Sequence, residues 1–227
     1  MPAKRTLGSQ LKALVRSDWS DILALSEKKA FRRKFQIVES FVSLVAKHGL
    51  HDVSYPQLAR QCGISRQLLE HHFPDRIALV LLSYRYIYAR LQKVAVDATV
   101  SKQGFYNRFH GYIFACVEWI QKYSIDCRFL LQFYAMTLTN TQLLSAHQRN
   151  SKIGHDRIVS LFLQAQSEGY FKNCTHDDLE AKAFVSQQML IGFSLDVISR
   201  DVPVAEQKSL TREFWKSIEI LLSLKKI

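Results

Sequence analysis

Apolar residues along this chain recur at intervals of three and four, not two, the repeat of a helix face rather than of a strand. Between 30 and 48 the row Phe35, Val38, Phe41, Val42 and Val45 makes one stripe, widened by Ile37 and Leu44. Eight Gly and four Pro in 227 residues leave few positions for the tight turns of a β-rich fold. The chain therefore reads as all-α. Helices are predicted over about 30–48, from Ser54 to Gly63, from Ser65 through Phe73, and then over about 75–99, 103–122, 126–138, 141–168, 177–199 and 204–224. The apolar positions Leu11, Leu14, Val15, Trp19, Ile22, Leu23 and Leu25 allow a helix or two in an N-terminal extension, 1–29.

The formal charge is +11, and it is unevenly placed. Residues 1–90 hold 15 Lys+Arg against 7 Asp+Glu, and residues 91–227 hold 16 against 13. A basic N-terminal part suits a polyanionic partner, nucleic acid or an anionic membrane surface. The cysteines Cys62, Cys116, Cys127 and Cys174 are far apart and form no C-x-x-C pair, so they read as ordinary thiols of a reducing compartment. No apolar run approaches bilayer length and the first residues do not resemble a secretory signal, so a cytoplasmic location is expected.

The segment SYPQLARQCGISRQLLEHHFPDR, Ser54–Arg76, carries the most local information. Ser54 and Gln57 have capping-box spacing, and Val53 with Leu58 has that of a hydrophobic staple. Pro56 is tolerated in a first turn. Gly63 ends the helix, Ser65 caps the next, and Ile64 with Leu69 repeats the staple. Two short capped helices joined by a Gly-containing corner are the sequence form of a helix-turn-helix, whose second helix enters the DNA major groove. Leu58, Ala59, Cys62, Ile64, Leu69 and Phe73 are predicted to face inward. Arg66, Gln67, Leu68, Glu70 and His71 face outward. Arg pairs with guanine O6/N7, Gln with adenine N6/N7, and Leu68 suits a thymine methyl. Backbone N–H groups near Ser54 and Ser65, with Tyr55, Gln57 and Arg76, are candidate phosphate donors. So are the side chains of KKAFRRK at 28–34, Arg33 among them.

The stretch HGLHDVSYPQLARQCGISRQLLEHHFPDRIAL resembles the DNA-binding segment of the tetracycline-repressor-like (TetR) transcriptional regulators, through Gly49, Ser54, Leu58, Ala59, Gly63, Ile64, Ser65, Leu69, His72, Phe73 and Leu79, with Arg76 at a usually basic position. The resemblance implies an N-terminal three-helix helix-turn-helix domain at 30–83. A long helix would join it to a helical ligand-binding and dimerisation domain at 84–227. It further implies a ligand-responsive dimeric repressor on a pseudo-palindromic operator. The dimer would form through the last two helices, with reading heads one turn apart, roughly 34–36 Å, or a multiple of that. Glu70 departs from the family pattern, which commonly places a phosphate-contacting Tyr there; Ile77 and Leu68 depart as well. Glu70 keeps open a second reading, an all-α small-molecule-binding or protein-interaction module whose helix-turn-helix no longer reads DNA.

The aromatic-rich stretch 103–138 corresponds to the region that encloses an inducer in the family. Tyr112, Cys116, Trp119, Tyr134, Met136, Phe162, Met189 and Phe193 are candidates to line a pocket for a lipophilic effector, and the same residues also suit plain core. His71-His72 point about 100° apart on a helix and are poorly placed for one metal. No phosphate loop, nucleophile elbow or zinc-protease motif is present. An enzyme, a metal and a cofactor are not expected.

Overall fold

The computed structural model describes residues 19–100, 102–200 and 202–224. Ten helices account for the regular structure of these residues: α1 Trp19–Glu27, α2 Arg32–His48, α3 Tyr55–Gln61, α4 Arg66–His72, α5 Arg76–Val100, α6 Phe105–Lys122, α7 Ser124–Thr137, α8 Thr141–Ser167, α9 His176–Ser199 and α10 Val204–Leu222. Of the proposed N-terminal helices, Trp19–Glu27 is formed, with Ile22 buried. Leu11, Leu14 and Val15 lie outside the described residues.

The chain divides into two compact units. The first comprises the described residues up to Gln92 together with Ile125–His147. Its core is built on the predicted α2 stripe, with Phe35, Ile37, Val38, Phe41 and Val45 all buried. Leu58, Leu69, Phe73, Leu79, Leu82 and Tyr84 complete it. α7 is bound into this N-terminal unit. Phe133 stacks on Tyr84 with ring centroids 3.8 Å apart, and Phe129 meets Phe41 edge-on at 6.1 Å. The Gln132 amide donates to the Val45 carbonyl at 3.0 Å and accepts the Leu50 N–H, satisfying backbone groups at the C-terminal end of α2. Asp126 pairs with Arg90.

The second unit comprises Lys93–Ser124 and the described residues from Gln148 onward. Phe162 packs edge-to-face on the stacked Phe105 and Phe109, and Trp215 of α10 joins them at 6.0 Å from Phe109. Glu168 accepts the Phe105 N–H at 2.6 Å and so caps α6. Thr175 and Asp178 form the full reciprocal capping box at the start of α9. Gln121 ties α6 to α10 by donating to Thr211 Oγ1 at 3.0 Å. Gly111 lets α6 approach the end of α5: a Cβ there would lie 2.9 Å from the Ala98 carbonyl oxygen. Among the described residues no helix is long and apolar enough to cross a membrane.

Candidate nucleic-acid interface

The predicted corner forms as two seven-residue helices. Ser54 Oγ accepts the Gln57 N–H at 3.3 Å and Ser65 Oγ accepts the Leu68 N–H at 3.1 Å. Each cap satisfies one of the free donors at a helix start. Between them Gly63 takes φ +62°, a left-handed conformation that favours glycine, although the space around its Cα is open. Leu58, Ala59, Leu69 and Phe73 are buried, while Cys62 and Ile64 are half-buried at the margin. With one face of α4 fixed in this way, Arg66, Gln67, Leu68 and His71 are left exposed in a row.

Other side chains fix the back of α4 and its surroundings. Lys34 of α2 is buried and its ammonium donates to the His72 carbonyl at 3.1 Å, at the C-terminal end of α4 where a cation is favoured. It also lies 5.3 Å from the Phe73 ring centroid. Burial lowers the Lys34 pKa. The same environment lowers that of His72, through desolvation first and then the charges of Lys34, His71 and Arg33. Within KKAFRRK, Lys34 is therefore structural, whereas Lys28, Lys29, Arg32 and Arg33 are exposed.

Two expected phosphate donors are engaged inside the domain instead. The Tyr55 hydroxyl donates to the Phe73 carbonyl at 2.8 Å, and its burial pushes the phenol pKa up to about 12. The Arg76 guanidinium donates to the Val53 carbonyl at 2.6 Å and to that of Leu50, clamping the turn between α2 and α3. Tyr55 is thereby tied to the C-terminal end of α4, and Arg76 to the turn between α2 and α3. Ser54 and Ser65 are exposed, and Gln57 is half-buried. Glu70 accepts from Arg66 Nε at 2.7 Å, one turn along the same exposed face. Its negative charge is thus set against the guanidinium.

The eight residues expected to line an effector pocket are divided between the units. Tyr134 and Met136 belong to the first, where the Tyr134 ring lies 4.8 Å from that of His147. In the second, Tyr112, Cys116, Trp119 and Phe162 are buried. Met189 is half-buried, and Phe193 packs on Phe214 at 4.5 Å. A cavity of about 420 Å³ does occur in this unit, lined by Val96, Thr99, Val100, Arg108, Arg157, Ser160, Leu161 and Gln164. None of the eight is among its walls. Aromatic spacing marked the core, and the cavity walls combine aliphatic and basic residues that carry no periodic signal. Among the described residues no cluster of three or more His, Cys, Asp or Glu is placed to hold a metal.

A rigid pair of short helices with a basic, polar outer face on an all-α chain defines a helix-turn-helix DNA-binding protein. Residues 37–82 match the model of the bacterial regulatory proteins of the tetR family. The HTH-type transcriptional regulator BetI of Escherichia coli is 25% identical over 190 residues, covering 80% of this chain and 91% of BetI. The fold is shared with a TetR transcription regulator from Haloarcula marismortui, with a TM-score of 0.73, 14% identity, and coverage of 84% of this chain and 98% of that one. It is also shared with a transcriptional regulator from Saccharomonospora viridis in complex with choline, at TM-score 0.71 and 17% identity, covering 83% and 97%. The chain thus carries a tetR-family DNA-binding segment at 37–82 within a fold shared with TetR-type transcriptional regulators.

Proposed function

We propose that the protein is a homodimeric, ligand-responsive repressor of a pseudo-palindromic operator, with Arg66 and Gln67 of α4 reading bases. The observation that carries this reading is the exposed row on α4, backed by a buried face and by the Lys34, Tyr55 and Arg76 anchors. Arg66 meets a guanine, held in register by Glu70, and Gln67 an adenine. Leu68 and His71 flank them. Phosphates are met by the exposed cations Arg32 and Arg33 and by backbone near Ser54 and Ser65.

An apolar face on the last two helices supports the dimer. Phe184 and Leu195 of α9 are 56% and 53% exposed, and Ile220 and Leu221 of α10 are 70% and 50% exposed. Exposed apolar side chains on these two helices favour a partner surface. Gly192 lies between Phe184 and Leu195 on α9 with nothing within 4 Å of its Cβ position. A helix-interior glycine costs about 1 kcal/mol relative to alanine, and close approach by a second copy would give it a purpose. Effector binding in the second unit would favour a conformation with wrongly spaced reading heads and so release DNA.

Selection of bound fragments from random DNA, followed by light scattering of the free protein and of its complex, tests this directly. The expected result is a two-fold-related motif bound by two copies. A monomer at micromolar concentration that binds a single half-site would overturn the dimeric reading.

A further inference from the structure

The exposed face of α4 carries one side chain that its polar neighbours do not explain. Leu68 is 40% exposed. Among the described Phe, Leu, Ile and Val side chains of α2, α3 and α4 it alone is exposed; the rest, from Phe35 of α2 to Leu69 of α4, are buried. The core of the domain is thus closed without it. Its backbone N–H is taken by the Ser65 cap at 3.1 Å, which places Leu68 in the first turn of α4, the part of a reading helix that reaches base edges. Successive helix residues are turned by about 100°, so Gln67 stands nearly opposite the buried Leu69, with Arg66 to one side of it and Leu68 to the other. Arg66 and Glu70 are bonded to each other at 2.7 Å and occupy their own flank. On the Leu68 flank the residue one turn along is His72. It is half-buried, and its pKa is lowered by burial and then by the charges of Lys34, His71 and Arg33, so its ring is neutral at pH 7.

A leucine side chain has no hydrogen-bonding atom, so it cannot sort bases by their donors and acceptors. The apolar feature that base edges offer in the major groove is the C5-methyl group, carried by thymine and not by cytosine. Contact between the two removes apolar surface from water on both sides. We propose that Leu68 reads a pyrimidine C5-methyl group, so that thymine and 5-methylcytosine are accepted at its position while uracil and cytosine are disfavoured. This role rests on α4 entering the major groove as proposed above. It makes the methyl group, rather than the base pair that bears it, the recognised feature, and so makes operator affinity responsive to cytosine methylation.

The test uses the full chain and duplexes selected from random DNA, with binding read by fluorescence anisotropy at fixed salt. Each thymine of a half-site is replaced in turn by deoxyuridine, which removes the methyl and keeps the base pairing. One replacement per half-site is expected to weaken binding by about fourfold, the worth of one buried methyl. At that position a cytosine–guanine pair is expected to bind about fourfold more weakly than the same pair carrying 5-methylcytosine. Leu68→Ala is expected to bind the thymine and uracil duplexes alike, and Leu68→Met to keep most of the preference. The position is exposed, and the ratio of two duplexes on one sample does not depend on the folded fraction. A half-site with no methyl-sensitive thymine overturns the proposal. So does a thymine-over-uracil preference that survives Leu68→Ala, which would assign the methyl effect to DNA shape. Arg66→Ala is measured on the same duplexes. Guanine preference lost with Arg66, while thymine and uracil bind wild type equally, would leave the reading role of α4 standing and remove that of Leu68 alone. Absence of binding to every duplex at low salt would overturn both.

Discussion

Replacing Glu70 by Gln separates two effects that a single affinity would blend. Glu70 and Arg66 are paired at 2.7 Å with both side chains substantially exposed, so the pair itself contributes only about 0.3–0.5 kcal/mol to the helix. Its consequence lies in DNA reading. A carboxylate on the order of 8 Å from a phosphate in water-like surroundings costs about 0.5 kcal/mol before screening, so Glu70→Gln is expected to tighten binding to any sequence by about twofold. An Arg66 freed from its partner must be ordered on binding, at about 0.5–1.5 kcal/mol, so preference for guanine at its position is expected to fall by about 2- to 12-fold. General affinity and discrimination therefore move in opposite directions. Competition binding of the selected operator against four variants of that base pair, at fixed salt, reads both. On an Arg66→Ala background the same Glu70→Gln change should no longer alter preference. Equal tightening on every sequence with preference intact would refute the orienting role and leave Glu70 as a simple repulsive charge.

Gly111→Ala sets a helix-propensity gain of about 1 kcal/mol against a Cβ placed 2.9 Å from the Ala98 carbonyl oxygen. The clash should win, with a net loss of about 1–3 kcal/mol in urea unfolding; an unchanged or raised midpoint would contradict the close approach. Tyr55→Phe removes the hydrogen bond to Phe73 and is expected to cost about 1 kcal/mol of stability while DNA affinity holds. Loss of affinity at full stability would return Tyr55 to the phosphates. The pKa of His147 is lowered by burial, and its Nδ1 lies buried without a hydrogen-bond partner. A folded-state pKa below the unfolded value of about 6.5 means stability that is present above that pH and is lost as pH falls through the folded-state value. His147→Gln should flatten that acid slope in thermal unfolding measured from pH 7.5 to 5, and an unchanged slope would exclude His147 as its source.

What was legible in the sequence is what short-range chemistry writes there. Ser54 and Ser65 bond to groups three residues away, so spacing alone announced them. Gly63 takes positive φ at the helix end where it was expected to act as a stop. The α2 stripe became core because a helix repeat leaves no other face to bury. The functions of Tyr55, Arg76, Lys34 and Gln132 were not legible, since their partners lie 18 to 87 residues away and polar side chains look alike until the fold brings acceptors to them. Tyr55 and Arg76 accordingly read as phosphate donors from sequence and stand as internal clamps in the structure. The place of α7 was not legible for the same reason: α5 runs through 83/84 without a break, and contacts of Asp126, Phe129, Gln132 and Phe133 join α7 to the N-terminal unit. Aromatic density in 103–138 marked core, with Phe105, Phe109, Phe129 and Phe133 all buried.

The central claim is that the exposed face of α4 reads duplex DNA through Arg66 and its neighbours. Fluorescence anisotropy of the full chain on its selected operator, across stepped potassium chloride and beside Arg66→Ala, tests it most directly. The account predicts tight binding at low salt, a linear fall of log affinity with log salt, and a variant that loses about 1–3 kcal/mol on the operator with an unchanged salt slope. No binding at low salt, or a variant that loses as much on unrelated DNA as on the operator, would contradict it.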